Sequence, residues 1–331
     1  MHLDVLGIGN ALVDIVSEGD DNELARLNLP KGSMTLVDVE RAAALYDQIG
    51  PSIESSGGSA ANTMVGLAQA GHRVGFIGRV REDQLGAVFS HDLRACGVDF
   101  HGIPAANGDP TGRCFVIVTP DGERTMATSL GASNQIDPND VDEAHLIGAR
   151  MLYLEGYLWD LEDAKATLRS AAETAGRHGT KVAFSLSDPF CVERHREEFL
   201  DFISTSVDIV FANQDEAFHL TGTSTIEAAT SAVSSLAELV VITHGAEGCS
   251  VVLDGNVQHF PAVAVPKLVD TTGAGDAFAA GYLDGLLRDL EPEECALRGA
   301  TRASAILGHF GARLLAAGSE QVGMPNDVLD R

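Results

Sequence analysis

Positions 270–281 read Asp-Thr-Thr-Gly-Ala-Gly-Asp-Ala-Phe-Ala-Ala-Gly, a spacing that suits chemistry on an anion. Gly273 and Gly275 remove side chains where a backbone could approach a ligand closely. A run of small residues then opens a helix whose first N–H groups lack partners within it. Such a helix start favours negative charge, as on a phosphate. Asp276 is the exception, a carboxylate set beside a phosphate cradle. From the residues alone it could be no more than a helix cap.

Other chemistry-bearing residues stand just after apolar runs. Asn10 and Asp14 interrupt the apolar opening 3–16. Gly57 and Gly58 precede a small-residue helix carrying Asn62 one turn on, so that glycine and amide face one ligand. Arg124 follows the turn Pro120-Asp121-Gly122 of a hairpin over 111–128. Asn213 and Glu216 follow the run 207–212, and Thr243, Gly245 and Gly248 follow the run 239–242. In open α/β sheets ligands bind at the C-terminal ends of strands. Read alone, the Asn213 group could equally be a helix cap with an acidic first turn.

Together these stretches resemble the ribokinase-like, or PfkB, carbohydrate kinases over about residues 3–313. Asp270–Phe278 is similar to the family's second signature and Ser55–Ala68 to its first. The resemblance implies an α/β fold: a three-layer α/β/α sandwich with a mostly parallel central sheet and a small β-sheet lid. It implies one kinase domain over 1–315, with lid segments at about 11–37 and 104–129 and a C-terminal tail at 316–331. It implies transfer of the ATP γ-phosphate to a hydroxymethyl group. Asp276 would be the base, the amides of Gly273, Ala274 and Gly275 the anion hole, and Arg124 a lid arginine on the transferring phosphate. Asn213, Thr243, Gly245, Gly248, Thr272 and Ala303 would hold ATP. Asn213 and Glu216 would organise Mg²⁺ through water, and Asp270, Thr272 and Gly311 a possible K⁺.

The opening Gly9-Asn10-Ala11-Leu12-Val13-Asp14 is similar to that of the adenosine kinases in the family. So are Pro110–Cys114, Gly156-Tyr157 and Leu186–Phe190, with Arg113, Leu158 and Asp188 as departures. The resemblance places the acceptor, adenosine, among Asn10, Leu12, Asp14, Gly57, Gly58, Asn62, Cys114 and Tyr157. Asp14 would grip the ribose 2′ and 3′ hydroxyls, with Asn10 near the base. The alternatives are a ribose, fructose or keto-sugar-acid kinase, or an inosine/guanosine kinase.

These residues must be positioned by a scaffold. Strands are expected at 3–9, 33–37, 74–78, 150–154, 181–186, 208–211, 239–243 and 249–253. Helices are expected from about 39, at 86–96, 139–146, 161–178, 192–203, 214–220, 226–236, 276–288 and 293–307. Such alternation gives a mostly parallel sheet covered on both faces. Gly7-x-Gly9 is not a dinucleotide fingerprint, because Leu12 stands where its third glycine belongs. No Gly-x-x-x-x-Gly-Lys-Ser/Thr loop occurs.

The 331 residues carry 22 basic and 48 acidic side chains, a net charge of −26. That field repels nucleic acid and anionic membranes. Five scattered cysteines argue against a disulfide framework or a zinc site. The opening lacks the basic and apolar regions of a signal peptide, and no apolar run is long enough to span a bilayer. The expectation is a cytoplasmic monomer or homodimer, with ATP and a small acceptor as its partners.

Overall fold

The computed structural model describes residues 2–314 apart from 103 and 122. The tail at 316–331 and Gly122 of the hairpin turn lie outside the described residues. Among the described residues, fourteen strands form two sheets. The first eight are β1 (Leu3–Ile8), β2 (Leu12–Glu18), β3 (Met34–Leu36), β4 (Ser52–Gly57), β5 (Val74–Ile77), β6 (Val98–Phe100), β7 (Gly112–Val118) and β8 (Arg124–Ser129). The rest are β9 (Ala149–Glu155), β10 (Lys181–Ser185), β11 (Ile209–Asn213), β12 (Leu239–Thr243), β13 (Cys249–Leu253) and β14 (Asn256–Phe260).

The larger sheet has nine strands in the order β14-β13-β12-β11-β10-β9-β1-β5-β6. It is parallel from β6 to β12, and β13 and β14 add antiparallel at one edge. Its inner strands are largely apolar on both faces, as a sheet covered on both sides requires, whereas the edge strand β14 is exposed. Met151 and Tyr153 enter one core and Leu152 and Leu154 the other, the two-residue period of a strand. Helices Ser59–Gln69, Gln84–Ala95, Ala274–Leu287 and Pro292–Leu307 pack on the first face. Helices Glu162–Arg177, Pro189–Ser206, Gln214–Thr221 and Ile226–Val233 cover the second.

The smaller sheet, expected as a lid and here called one, has the order β3-β8-β7-β2-β4. It is drawn from three stretches of chain, 12–36, 52–57 and 112–129. β4 was not expected, because Ser52-Ile-Glu-Ser-Ser-Gly57 has the composition of a loop; pairing with β2 makes it a strand. Within 104–129 the ladder begins only at Gly112. The expected helix at 139–146 is instead a 3₁₀ turn, Pro138–Asp140, and a short helix, Glu143–Ile147. Asp137 and Asp142 each accept a backbone N–H two residues on, which starts a new element both times. The short strands β6 and β14 were also unforeseen.

Candidate active site

A cavity of about 810 Å³ opens between the lid and the C-terminal ends of the core strands. Helix Ala274–Leu287 points its N-terminus into it, with Gly273 left-handed at φ 75° just before. A side chain at Gly273 would strike Ala312, whereas one at Gly275 would meet nothing within 4 Å. Packing therefore requires the first glycine, and the second leaves the helix start open to a ligand.

Asp276 is not a cap. Its carboxylate makes no bond to its own helix start. It accepts instead from Ser59 Oγ at 2.6 Å and Asn62 Nδ2 at 3.0 Å, both on the helix that follows Gly58. Burial pushes its pKa up to about 6, against the lowering effect of those two bonds and of Arg313. Arg313 donates to Asn62 Oδ1 at 2.7 Å and also to Ser56 Oγ near the end of β4. It adjoins the Gly311-Ala312 pair, yet nothing in its spacing announced the contact.

Asp14 projects from β2 into the cavity. Its β4 neighbours are Ser55 across the ladder and, beyond it, Gly57. A side chain at Gly57 would occupy the space of the Asp14 carboxylate. Burial raises the Asp14 pKa to about 6, with Arg313 and Arg124 opposing, and no hydrogen-bond donor contributes among the described residues. Cys114 lies opposite Asp14 on β7 and accepts from Thr128 Oγ1 at 3.2 Å. Burial, then Asp14, pushes its thiol up to about 12, so it is an uncharged wall.

Arg124 brings the lid onto the core. It donates to Thr272 Oγ1 at 2.8 Å and forms an ion pair with Asp270. Asp270 also accepts from the N–H groups of Thr272 at 2.9 Å and Gly311 at 2.7 Å. The three residues expected around K⁺ thus do come together. Their carboxylate is spent on two amides and a guanidinium, so with Arg124 in place they do not fit a cation.

Asn213 and Glu216 line the cavity and form a reciprocal cap. Both Glu216 oxygens accept from Asn213, at 2.9 and 2.6 Å, and burial pushes Glu216 up to about 7. Direct metal ligation would compete with the cap, whereas an indirect hold through waters fits the lone pairs that remain.

Leu12, Gly58, Thr243 and Tyr157 line the cavity as expected, with Tyr157 donating its hydroxyl to the Ser187 carbonyl at 3.2 Å. Gly57, Gly245, Gly248 and Ala303 lie outside the lining. Gly248 is explained by its turn, where φ is 101° and a side chain would strike the Phe260 carbonyl. Asn10 lines the cavity, but its amide is taken at both ends, by Glu155 and by Ser133. Glu155, Ser133, Ser59 and Arg313 were missed by sequence reasoning. Each sits in a stretch where a single polar residue gives no signal of its partner.

The profile of the pfkB family carbohydrate kinases matches residues 48–317. The crystal structure of adenosine kinase from Sinorhizobium meliloti superposes with a TM-score of 0.89 at 42% identity, over 96% of this chain and 97% of that one. Adenosine kinase 2 from Arabidopsis thaliana is 28% identical over 93% of this chain and 94% of its own length. The 5-dehydro-2-deoxygluconokinase of Geobacillus kaustophilus is 30% identical over 76% of this chain and 78% of its own. The chain belongs to the pfkB family of carbohydrate kinases, phosphotransferases that act on a hydroxyl of a sugar or nucleoside.

Proposed function

We propose that the protein phosphorylates the ribosyl hydroxymethyl group of a nucleoside, adenosine, at the expense of ATP. The observation that carries this reading is the wall beyond Asp14. Leu12, Met34, Leu36, Leu130, Tyr157 and Phe190 all line the cavity there. Met34, Leu36 and Phe190 are 41%, 50% and 67% exposed, apolar surface that a free sugar would leave wet and a purine would cover. Asp14 supplies an acceptor without a protein donor, suited to a vicinal diol. A sugar acid would call for a free cation at this end. Arg194, which lines it, is held by Asp160 through bonds of 3.1 and 3.0 Å.

In the reaction the acceptor oxygen attacks the γ-phosphorus and the bond to ADP breaks. Phosphoryl transfer depends on positioning and charge stabilisation more than on a strong base. Asp276 takes the hydroxyl proton as the new O–P bond forms. The N–H groups of the 273–275 turn face the charge that develops on the phosphoryl oxygens. Arg124 adds a positive charge from the lid. Asn213 and Glu216 would hold Mg²⁺ through its waters, and the ion would supply further neutralisation of the phosphates.

The test is ADP release with adenosine, inosine, guanosine, ribose, fructose and 5-dehydro-2-deoxygluconate as acceptors. Adenosine should give the highest kcat/KM. A sugar or sugar acid phosphorylated well while adenosine is ignored would refute the nucleoside reading and leave the kinase assignment standing.

A further inference from the structure

Four connections join the lid to the core sheet: β1 to β2, β4 to the helix at Ser59, β6 to β7, and β8 to the segment before β9. One side chain bonds to two of them directly and is linked to the other two through Asn10 and its neighbours. Glu155 ends β9 near the middle of the core sheet and is 0% exposed. Its Oε1 accepts from the Asn10 backbone N–H at 2.7 Å and from Asn10 Nδ2 at 3.0 Å, on the first connection. Its Oε2 accepts from the Ala60 N–H at 2.7 Å, just past the second. The side-chain Oδ1 of Asn10 accepts from Ser133 Oγ at 3.0 Å, on the fourth. The neighbouring Ala132 N–H donates to the Pro110 carbonyl at 2.9 Å and so ties in the third.

The surroundings are built for this junction. A side chain at Gly9 would strike the Glu155 carboxyl and Ala60. Gly58 is left-handed at φ 93°, and a side chain there would strike the Asn10 carbonyl. Burying a carboxylate is costly even with three N–H donors, and an apolar residue would serve a plain core better. Asp14 stands four residues beyond Asn10, and Arg124 opens β8, the strand from whose far end the fourth connection departs.

We propose that Glu155 is a positioning residue that pins the lid's connections to the core and so sets where Asp14 and Arg124 stand relative to Asp276. The proposal rests on the phosphoryl-transfer reading of the cavity, not on the identity of the acceptor.

The test uses Glu155→Gln and Ser133→Ala, with Glu155→Asp as the conservative variant. Glutamine keeps the shape but must turn its amide toward one of the donors, so the Asn10 or the Ala60 connection loses its acceptor. Ser133→Ala frees the fourth connection alone. Amide hydrogen exchange of the unliganded protein is followed by segment, alongside kcat and KM with ATP and adenosine. In Glu155→Gln, exchange in β2, β7 and β8 should quicken by about tenfold while β9 to β12 hold the wild-type rate. Its kcat should fall by roughly 10–100-fold with acceptor KM changed less than about threefold. Glu155→Asp should recover part of the kcat, and Ser133→Ala should show the same pattern at smaller amplitude. An increase in acceptor KM alone would make Glu155 a substrate contact and overturn the proposal. So would equal quickening of both sheets, the mark of an ordinary core residue, or an unchanged kcat. Should Glu155→Gln fail to fold, Ser133→Ala decides on the same readouts. If the wild type ignores adenosine, the nucleoside reading fails separately, and the exchange measurement still judges Glu155.

Discussion

Replacing Asp14 with alanine removes a carboxylate that the lid presents to the cavity with no donor bonded to it among the described residues. At pH 8 that carboxylate is ionised, because burial raises its pKa only to about 6. A hydrogen bond from a neutral hydroxyl to a charged group contributes about 1.5–3 kcal/mol. Two such bonds from a vicinal diol come to about 3–6 kcal/mol, or roughly 10²–10⁴ in kcat/KM at about 1.4 kcal/mol per tenfold. A ligand without the diol leaves the buried carboxylate unpaired, which sharpens the discrimination. The assay compares kcat/KM for adenosine and 2′,3′-dideoxyadenosine by ADP release at pH 8. Wild type should prefer adenosine by at least ~10², and Asp14→Ala should retain less than ~10, losing mainly on adenosine. Gly57→Ala should mimic the loss, because its methyl group would take the space of the carboxylate. Full discrimination retained by Asp14→Ala would refute the reasoning and place the diol elsewhere.

Two further outcomes follow from the lid contacts and the buried acids. Arg124→Ala should lower kcat by about 10–10³-fold with a small effect on acceptor KM, because its charge serves the closed, reacting state; a pure KM effect would contradict that role. Unliganded stability should fall as pH rises from 6.5 to 8. Glu155 and Glu216, raised to about 7, and Asp14 and Asp276, raised to about 6, hold protons more tightly folded than unfolded. Their contribution is full below the unfolded carboxylate range and lost as pH climbs through 6–7. Depressed His101 and His244 act in the opposite sense below their ordinary 6.5, so the fall is cleanest above it. A melting temperature that rises across this window at fixed ionic strength would refute the assignment of buried acids.

Sequence reasoning succeeded where local pattern and tertiary role coincide. The alternation of apolar runs with helical periods from 149 to 307 set out the parallel sheet, because a doubly covered strand must be apolar throughout. The stretch around Gly273 declared itself because a left-handed glycine and an open helix start are both written in small residues. Failure came where meaning depends on a distant partner. Ser52–Gly57 reads as a loop and becomes strand β4 only against β2. Asn10 invites a ligand role until Glu155, 145 residues away, takes its amide. Asp270 resembles a cation ligand until the lid brings Arg124 against it. Asp276 is the converse case. Its local sequence allows a cap, and only Ser59 and Asn62 from another helix draw the carboxylate away.

The central claim is that Asp276 accepts the proton during phosphoryl transfer, and Asp276→Asn tests it most directly. Asparagine keeps the helix start and can still accept a hydrogen bond from Ser59, so ATP should bind as in wild type. Single-turnover transfer from ATP to adenosine should slow by ~10²–10⁴, the usual contribution of a general base. The wild-type rate should decline as pH falls through about 6, where burial places this carboxyl, and the variant's residual rate should lack that limb. A variant with near wild-type transfer rate and the same acid limb would contradict the account and return Asp276 to a structural role.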